Sequence, residues 1–229
     1  MKPEQAASYL KQTRLFGELD PDALARLADR AIERTYKKGQ LIFYQGDPAE
    51  ALFIVIEGRV KVVVVNEAGD EMLLVTLQPL DVFGEVALID GEPRSASAET
   101  LEQTRVLVLT RTTFLEALRE NPAMTESLLR SLGGVLRRLT EQTADLVFLD
   151  LHGRVAKLLV SMAEKNETTE EGAELDLQLT QSDLASMVGG SRQSVNQILK
   201  SFERRGYVEL HGRKLILKAP DLLRKRAGL

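Results

Sequence analysis

The residues best equipped for chemistry stand in one run, Phe83-Gly84-Glu85-Val86-Ala87-Leu88-Ile89-Asp90-Gly91-Glu92-Pro93-Arg94-Ser95-Ala96. Arg94 offers a planar fork of N–H donors that pairs bidentately with phosphate oxygens. Ser95 adds a hydroxyl and a backbone N–H, and Gly84 lets backbone approach a ligand with no side chain in the way. Glu85 only accepts hydrogen bonds when ionised, so beside a phosphate it would serve a hydroxyl, most simply a ribose 2′-OH. Gly84, Glu85, Val86, Arg94 and Ser95 are therefore the candidate residues for a small ligand carrying one phosphate and one sugar hydroxyl. A surface turn closed by an Arg–Glu ion pair is the plainer alternative, and the number of positions the pattern fixes argues against it.

Elements of two kinds must position this run, which itself reads as strand and short helix. Residues 1 to about 36 read helical, with Leu15, Phe16, Leu19, Leu24, Leu27 and Ile32 as apolar positions and Asp20-Pro21 as an N-cap followed by Pro at N1. From Gly39 to about Leu109 the pattern changes to short β runs: Leu41–Tyr44, Leu52–Ile56, Val60–Val65, Met72–Leu77 and Val106–Leu109. Turn signals such as Gly46-Asp47-Pro48, Glu57-Gly58 and Asn66 to Asp70 separate them. Many short strands at this spacing predict a sandwich or barrel, with a jelly roll the natural choice, so the chain as a whole is α+β. The stretch from about Thr112 to Phe148 reads helical. In it Leu128, Leu132, Val135, Leu139, Gln142 and Leu146 alternate by four and three, the spacing of a coiled-coil seam. Such a seam needs a partner, and a second copy of the same helix makes a two-fold homodimer. Gly133-Gly134 marks close packing or a flexible point within it. Asp150 reads as a fresh N-cap, with Val155, Leu158, Leu159 and Met162 as the apolar face beyond it. The expected organisation is 1–111, 112–148 and 149–229, with a hinge over Leu149–Gly153 and a polar loop over Asn166–Glu174.

Composition bounds the chemistry. The 229 residues are 44% hydrophobic and 28% charged, ordinary for a globular protein with one large or two modest domains. No apolar run reaches the roughly 18 residues of a membrane span, and no signal-peptide core follows Met1, so a cytoplasmic protein is expected. With zero cysteines there is no thiolate for an iron–sulfur cluster, a zinc finger or a thiolate haem, and His152 and His211 are too few for a histidine-rich metal site. No metal, haem or iron–sulfur cofactor is expected. For His152 and His211 a structural or surface role is the natural reading.

The net charge of −4 hides an asymmetry: residues 190–229 hold ten Lys/Arg against three acidic residues, net +7, which leaves −11 for residues 1–189. A basic end on an acidic body is the pattern of a nucleic-acid-binding module. Thr180-Gln181-Ser182-Asp183 opens a helix with a capping-box pattern, Leu184, Ala185 and Val188 give its inner face, and Gly189-Gly190 makes a turn. Ser191 caps a second helix whose Val195, Ile198, Leu199 and Phe202 fall on one face. The opposite face carries Arg192, Gln193, Asn196, Gln197 and Lys200, side chains able to bond to base edges and phosphates in a major groove. Tyr207–Leu210, a His211-Gly212 turn and Leu215–Leu217 complete a hairpin wing, with Arg213 and Lys214 near its tip. These features predict a winged helix–turn–helix bound to double-stranded DNA.

The phosphate-type run, the long helix, Phe148-Leu149-Asp150-Leu151-His152-Gly153-Arg154 and Gly189-Gly190-Ser191-Arg192-Gln193-Ser194-Val195 together resemble the CRP/FNR family, and the first run resembles the phosphate-binding cassette of cyclic-nucleotide-binding domains. These are bacterial transcription regulators built as cyclic-AMP receptor protein is. The resemblance spans nearly the whole chain in the family's order. It implies a cyclic-nucleotide-binding jelly roll, a long dimerisation helix and a DNA-binding domain that reorients on ligand binding to meet a palindromic operator, with RNA polymerase as a further partner. Cyclic AMP is the implied effector, favoured over cyclic GMP. In cyclic-AMP receptor protein a Thr-Ser pair on the long helix holds the adenine; ungapped alignment puts Leu139 and Thr140 there, so only one hydroxyl is kept. In the recognition helix Arg192 matches the family's guanine-reading Arg, while Gln193 stands where Glu is usual and Gln197 replaces a base-contacting Arg. Gln prefers adenine, so the half-site should differ from the family's GTGA type at the pair facing Gln193. Ser191, Lys200, Arg213 and Lys214 complete the expected DNA contacts, the last three as phosphate contacts.

Two other functions compete with this one. An enzyme acting on cyclic nucleotides would need metal ligands or a paired acid and base around an activated water, and no such set is present. A regulator of the same family that takes another ligand, or none, would keep the jelly roll as a scaffold; the intact Gly84, Glu85, Arg94 and Ser95 set argues against it.

Overall fold

The computed structural model describes residues 1–165, 168–176, 180–212 and 214–229. The chain forms two compact units, Met1–Leu136 and Arg137–Leu229.

The N-terminal unit begins with helices α1 (Pro3–Gln12) and α2 (Pro21–Asp29), the second capped as expected by Asp20, whose side chain accepts from the Ala23 N–H at 2.8 Å. Eight strands follow: β1 (Ile32–Tyr36), β2 (Leu41–Phe43), β3 (Ala51–Glu57), β4 (Val60–Val65), β5 (Glu71–Leu77), β6 (Val82–Phe83), β7 (Ser97–Thr100) and β8 (Thr104–Thr110), with the short helix α3 (Val86–Asp90) between β6 and β7. They make two four-stranded antiparallel sheets, ordered β1-β8-β3-β6 and β2-β7-β4-β5, the expected jelly-roll sandwich. Strand β3 is apolar from Ala51 to Ile56 because both its faces are covered there. Leu52, Ile54 and Ile56 pack with Leu107, Leu109 and the helices, whereas Phe53 and Val55 pack with Val60, Leu77 and Ala98 inside the sandwich.

Three expectations change over this stretch and the helices that follow it. Residues 32–36 are a strand, not the end of a helix: α2 stops at Asp29, and Ile32 pairs with Val108 and stays exposed instead of joining a helical face. The helical stretch after the sandwich is two helices, α4 (Arg111–Glu120) and α5 (Pro122–Phe148). Pro122 forbids helical geometry at the residue before it, and Asn121 accordingly sits extended at φ −128°, ψ 93°. The expected coiled-coil row also shifts. Leu128 is buried in the N-terminal core, whereas Leu129, Leu136, Leu139 and Leu146 stand exposed along α5, Leu136 at 66%.

The C-terminal unit contains the last part of α5, then α6 (Leu151–Lys165), β9 (Glu174–Asp176), α7 (Gln181–Val188), α8 (Arg192–Arg204), β10 (Val208–His211), β11 (Lys214–Leu217) and α9 (Pro220–Arg226). Its core joins Val155, Leu159, Leu184, Val188, Val195, Ile198, Leu199, Phe202 and Leu215, and His152 sets its ring edge-on to Phe202. Asp150 caps α6 by accepting from the Gly153 N–H at 2.8 Å and also pairs with Arg226. Arg154 donates to the carbonyls of Leu149 and Val188, both at 2.8 Å, and Lys157 reaches Asp145 on α5 at 2.6 Å. The segment expected to hinge, Leu149–Gly153, is thus fastened within this unit. The expected loop ends earlier than Glu174, which begins a strand: β9 pairs with β11, giving a three-stranded wing sheet β10-β11-β9. Asn166 and Glu167 of that loop lie outside the described residues.

Candidate functional site

The ligand-type run folds as a strand, a tight turn, one short helix and an extended return. Gly84 joins β6 to α3 at φ +81°, a left-handed conformation that a side chain would strain. A Cβ there would fall 2.7 Å from Arg94 Nη1, so the group that approaches this glycine is the arginine's own guanidinium. Arg94 is held on both sides by its backbone: its N–H donates to the Asp47 carbonyl at 2.9 Å and its carbonyl accepts from the Gly46 N–H at 2.8 Å.

The side chain of Arg94 turns inward. Only 5% of the residue is exposed, Nη1 donates to the Gly84 carbonyl at 2.6 Å, and Nη2 donates to the Ala51 carbonyl at 2.5 Å. Its Cζ lies 4.2 Å from the centre of the Phe43 ring. Nε is buried without an acceptor. Glu85 sits half-buried ahead of α3, and burial pushes its carboxyl above the usual carboxylate range against the pull of its own backbone N–H and of Arg94. Burial also lowers the Arg94 guanidinium below its ordinary value, opposed by Glu85 and Asp47. Glu85 and Arg94 thus feel each other's charge without a direct ion pair. Val86 is the exposed first residue of α3, and Ser95 is exposed next to Arg94. Leu139 and Thr140 lie on exposed positions of α5.

Phe43 and the Ala51 carbonyl are the partners that sequence reasoning missed. The signal for Phe43 lay in β7, a strand whose Ser97-Ala98-Glu99-Thr100 lacks large apolar residues and was not anticipated. Because β7 follows Arg94 directly and pairs Ala98 with Phe43, it carries the ring to the arginine. A separate cleft of about 380 Å³ between α2 and α4 has both its arginines paired, Arg30 with Glu116 and Arg26 with Glu120. Among the described residues no cluster of His, Cys, Asp and Glu could hold a metal ion, and no helix is long and apolar enough to cross a membrane.

The residues expected to meet DNA lie on α8 and the wing. Both halves of the Thr180–Asp183 capping box are formed, and Ser191 caps α8 by accepting from the Ser194 N–H at 3.0 Å. The two turn glycines do different work. Gly189 takes a left-handed conformation that closes α7, whereas a Cβ on Gly190 would fall 2.8 Å from Leu151. With Val195, Ile198, Leu199 and Phe202 buried, Arg192, Gln193, Gln197 and Lys200 face outward, and Asn196 is half-buried between the two faces. On the wing Lys214 pairs with Glu174 at 2.5 Å and Lys218 with Glu209 at 2.8 Å; Glu209 also bonds His211. Arg213 lies outside the described residues.

Residues 33–121 match the cyclic nucleotide-binding domain family, and residues 153–226 match the Crp-like helix-turn-helix domain. The CRP-like cAMP-activated global transcriptional regulator of Mycobacterium tuberculosis is 35% identical over 219 residues, covering 95% of this chain and 98% of that protein. The chain belongs to the CRP/FNR family. The cyclic AMP receptor protein of Thermus thermophilus is 32% identical over 201 residues, covering 88% of this chain and 90% of the relative. Among solved CRP/FNR-like structures, a CooA variant from Carboxydothermus hydrogenoformans superposes with a TM-score of 0.77 at 26% identity, covering 92% of this chain and 91% of the other. As a CRP/FNR member the chain is a DNA-binding transcription regulator and not an enzyme.

Proposed function

We propose that this regulator is gated by a cyclic purine nucleotide, cyclic AMP above cyclic GMP, and that it acts as a homodimer on a palindromic operator. One observation carries the effector reading: a guanidinium buried beside a carboxylate, with its Nε left without an acceptor. A buried donor in that state costs about 1–3 kcal/mol, and a phosphate oxygen would relieve it once the guanidinium re-aims. The residues present thus fit a cyclic phosphate on Arg94 and Ser95 and a ribose hydroxyl on Glu85. The cAMP-activated relatives support the same ligand. For the base, Thr140 supplies a hydroxyl and Leu139 an apolar contact. Residues 1–111 then serve the effector, 112–148 pairing and 149–229 DNA.

The exposed row Leu129, Leu136, Leu139 and Leu146 supports a two-fold partner, since an apolar stripe of this kind on a long helix is covered most simply by its own copy. On the operator, Arg192 reads guanine and Gln193 shifts the half-site from the GTGA type at its own base pair, with Asn196 and Gln197 also in reach of bases and Ser191, Lys200, Arg213 and Lys214 at phosphates. RNA polymerase is the partner that a transcription regulator of this family would meet, in the cytoplasm.

A second reading draws on the same arginine: because its Nη groups are already bonded to carbonyls, the jelly roll could persist as an effector-independent scaffold. DNA binding to a library of palindromic sites, with and without cyclic AMP at physiological salt, separates the two. Tightening with the nucleotide supports the gated regulator and returns the half-site in the same experiment. Equal binding in both conditions would leave the scaffold reading and overturn the gated one.

A further inference from the structure

A cyclic phosphate would meet a guanidinium that the free protein has already engaged. Arg94 gives Nη1 to the Gly84 carbonyl and Nη2 to the Ala51 carbonyl, and its Cζ lies over the Phe43 ring, 5.8 Å from the centre of Phe53. Phe43, Phe53 and Phe83 form one aromatic cluster, with centres 5.2–6.0 Å apart, that walls this position. The Arg94 main chain is bonded on both sides to the Gly46–Asp47 turn, so the side chain is the part free to re-aim. Buried Nε is out of reach of a ligand in this pose.

We infer that Phe43 is a positioning residue for the effector: it holds Arg94 in a self-liganded pose, and phosphate binding must lift the guanidinium from the ring and from the two carbonyls. The inference rests on the proposal that Arg94 receives the effector's phosphate. It has a quantitative form. When only part of the population is competent to bind, the apparent dissociation constant is the intrinsic one divided by that fraction. The Phe43 ring stabilises the stowed state through a desolvated cation–π contact. Removing the ring while keeping an apolar side chain therefore raises the competent fraction and tightens binding, the opposite of what loss of a ligand contact would do. The expected gain is about two- to thirtyfold, the range spanned by such contacts.

The test is calorimetric titration of the full-length protein with cyclic AMP for wild type, Phe43→Leu and Phe43→Tyr. Alongside it runs ¹⁵N NMR of the Arg94 side-chain Nε–H, assigned by its loss in Arg94→Lys. Tighter binding in Phe43→Leu and wild-type affinity in Phe43→Tyr, which keeps the ring, support the inference. So does a slowly exchanging, ring-shifted Nε–H in free wild type that is lost in Phe43→Leu. Equal or weaker binding in a folded Phe43→Leu overturns the inference and leaves the cyclic-AMP reading standing. A rapidly exchanging Nε–H in free wild type overturns it without recourse to any variant. If wild type does not bind cyclic AMP although its Nε–H is protected, the effector reading itself falls, and with it the claim that Phe43 sets an effector threshold.

Discussion

Arg94 and Arg192 are the same residue type put to opposite use. Arg94 is nearly fully buried, bonded to the carbonyls of Gly84 and Ala51 and set against an aromatic ring; Arg192 begins α8 exposed, directly after its Ser cap. The contrast runs through both units. Around Arg94 both side-chain hydrogen-bond partners are fixed backbone carbonyls, so a ligand has to displace internal contacts. On α8 a stripe of four buried apolar residues holds the helix, and its outward face is presented without rearrangement. Inward chemistry suits a conditional signal, and outward chemistry suits a standing interface.

The contrast is most directly broken at Arg94. Arg94→Ala removes a bidentate charged partner for phosphate, and calorimetry should record loss of cyclic-AMP binding by about a hundredfold or more. Unchanged heats would remove Arg94 from the site. At the outward arginine the effect should be smaller and depend on sequence. Arg192→Ala costs roughly 1–3 kcal/mol on a matched operator and relaxes choice at one base pair, whereas Lys200→Ala weakens all sites alike and lowers the salt slope by about 1. A uniform loss in Arg192→Ala, seen in a competition assay over mismatched sites, would make it a phosphate contact instead.

Asp150→Ala tests stability in the outward unit. It removes the cap of α6, worth about 1 kcal/mol, while its pairing with Arg226 adds little because both groups are partly in water. Arg226 and the Gly153 N–H hold the Asp150 carboxyl below its ordinary value of 3.8. Its contribution is therefore present above that value and fades as pH falls through the lowered one, so wild type and Asp150→Ala should converge in acid when their thermal midpoints are compared. Glu85 has the opposite sign and the smallest effect. Its raised carboxyl holds its proton longer in the folded chain than in the unfolded one, so stability declines as pH climbs from the ordinary 4.5 to the raised value and stays lower beyond it. Glu85→Gln should flatten that decline in denaturant midpoints measured across the range; parallel curves would show that burial of Glu85 carries no such cost.

Legibility followed the strength of local signals. Strands with large alternating or continuous apolar side chains, β2 to β5 and β8, were readable because one residue in two, or every residue, meets the core. So were the caps at Asp20, Asp150, Thr180 and Ser191, where a side chain answers nearby N–H groups. Strands β1, β7 and β9 escaped because their identity lies in their partners: Ile32 points to solvent, Ser97–Thr100 is small and polar, and β9 is only three residues long. The site divides the same way. Residue type marked Glu85 and Arg94 as one candidate set, but the inward turn of Arg94 depends on Phe43 and Ala51, brought in by long-range pairing that no local pattern encodes.

The wing lysines have a further consequence, in the ion balance of DNA association. Lys214 and Lys218 already hold carboxylates, those of Glu174 and Glu209. When such a lysine moves to a phosphate, DNA sheds a condensed cation, while the abandoned carboxylate draws back a fraction of one from solution and so offsets part of the release. Each ordinary phosphate contact steepens the fall of log K with log salt by about 0.9. For this protein the slope will therefore undercount the phosphates touched, and operator binding will fade less with rising salt than its +7 tail would suggest.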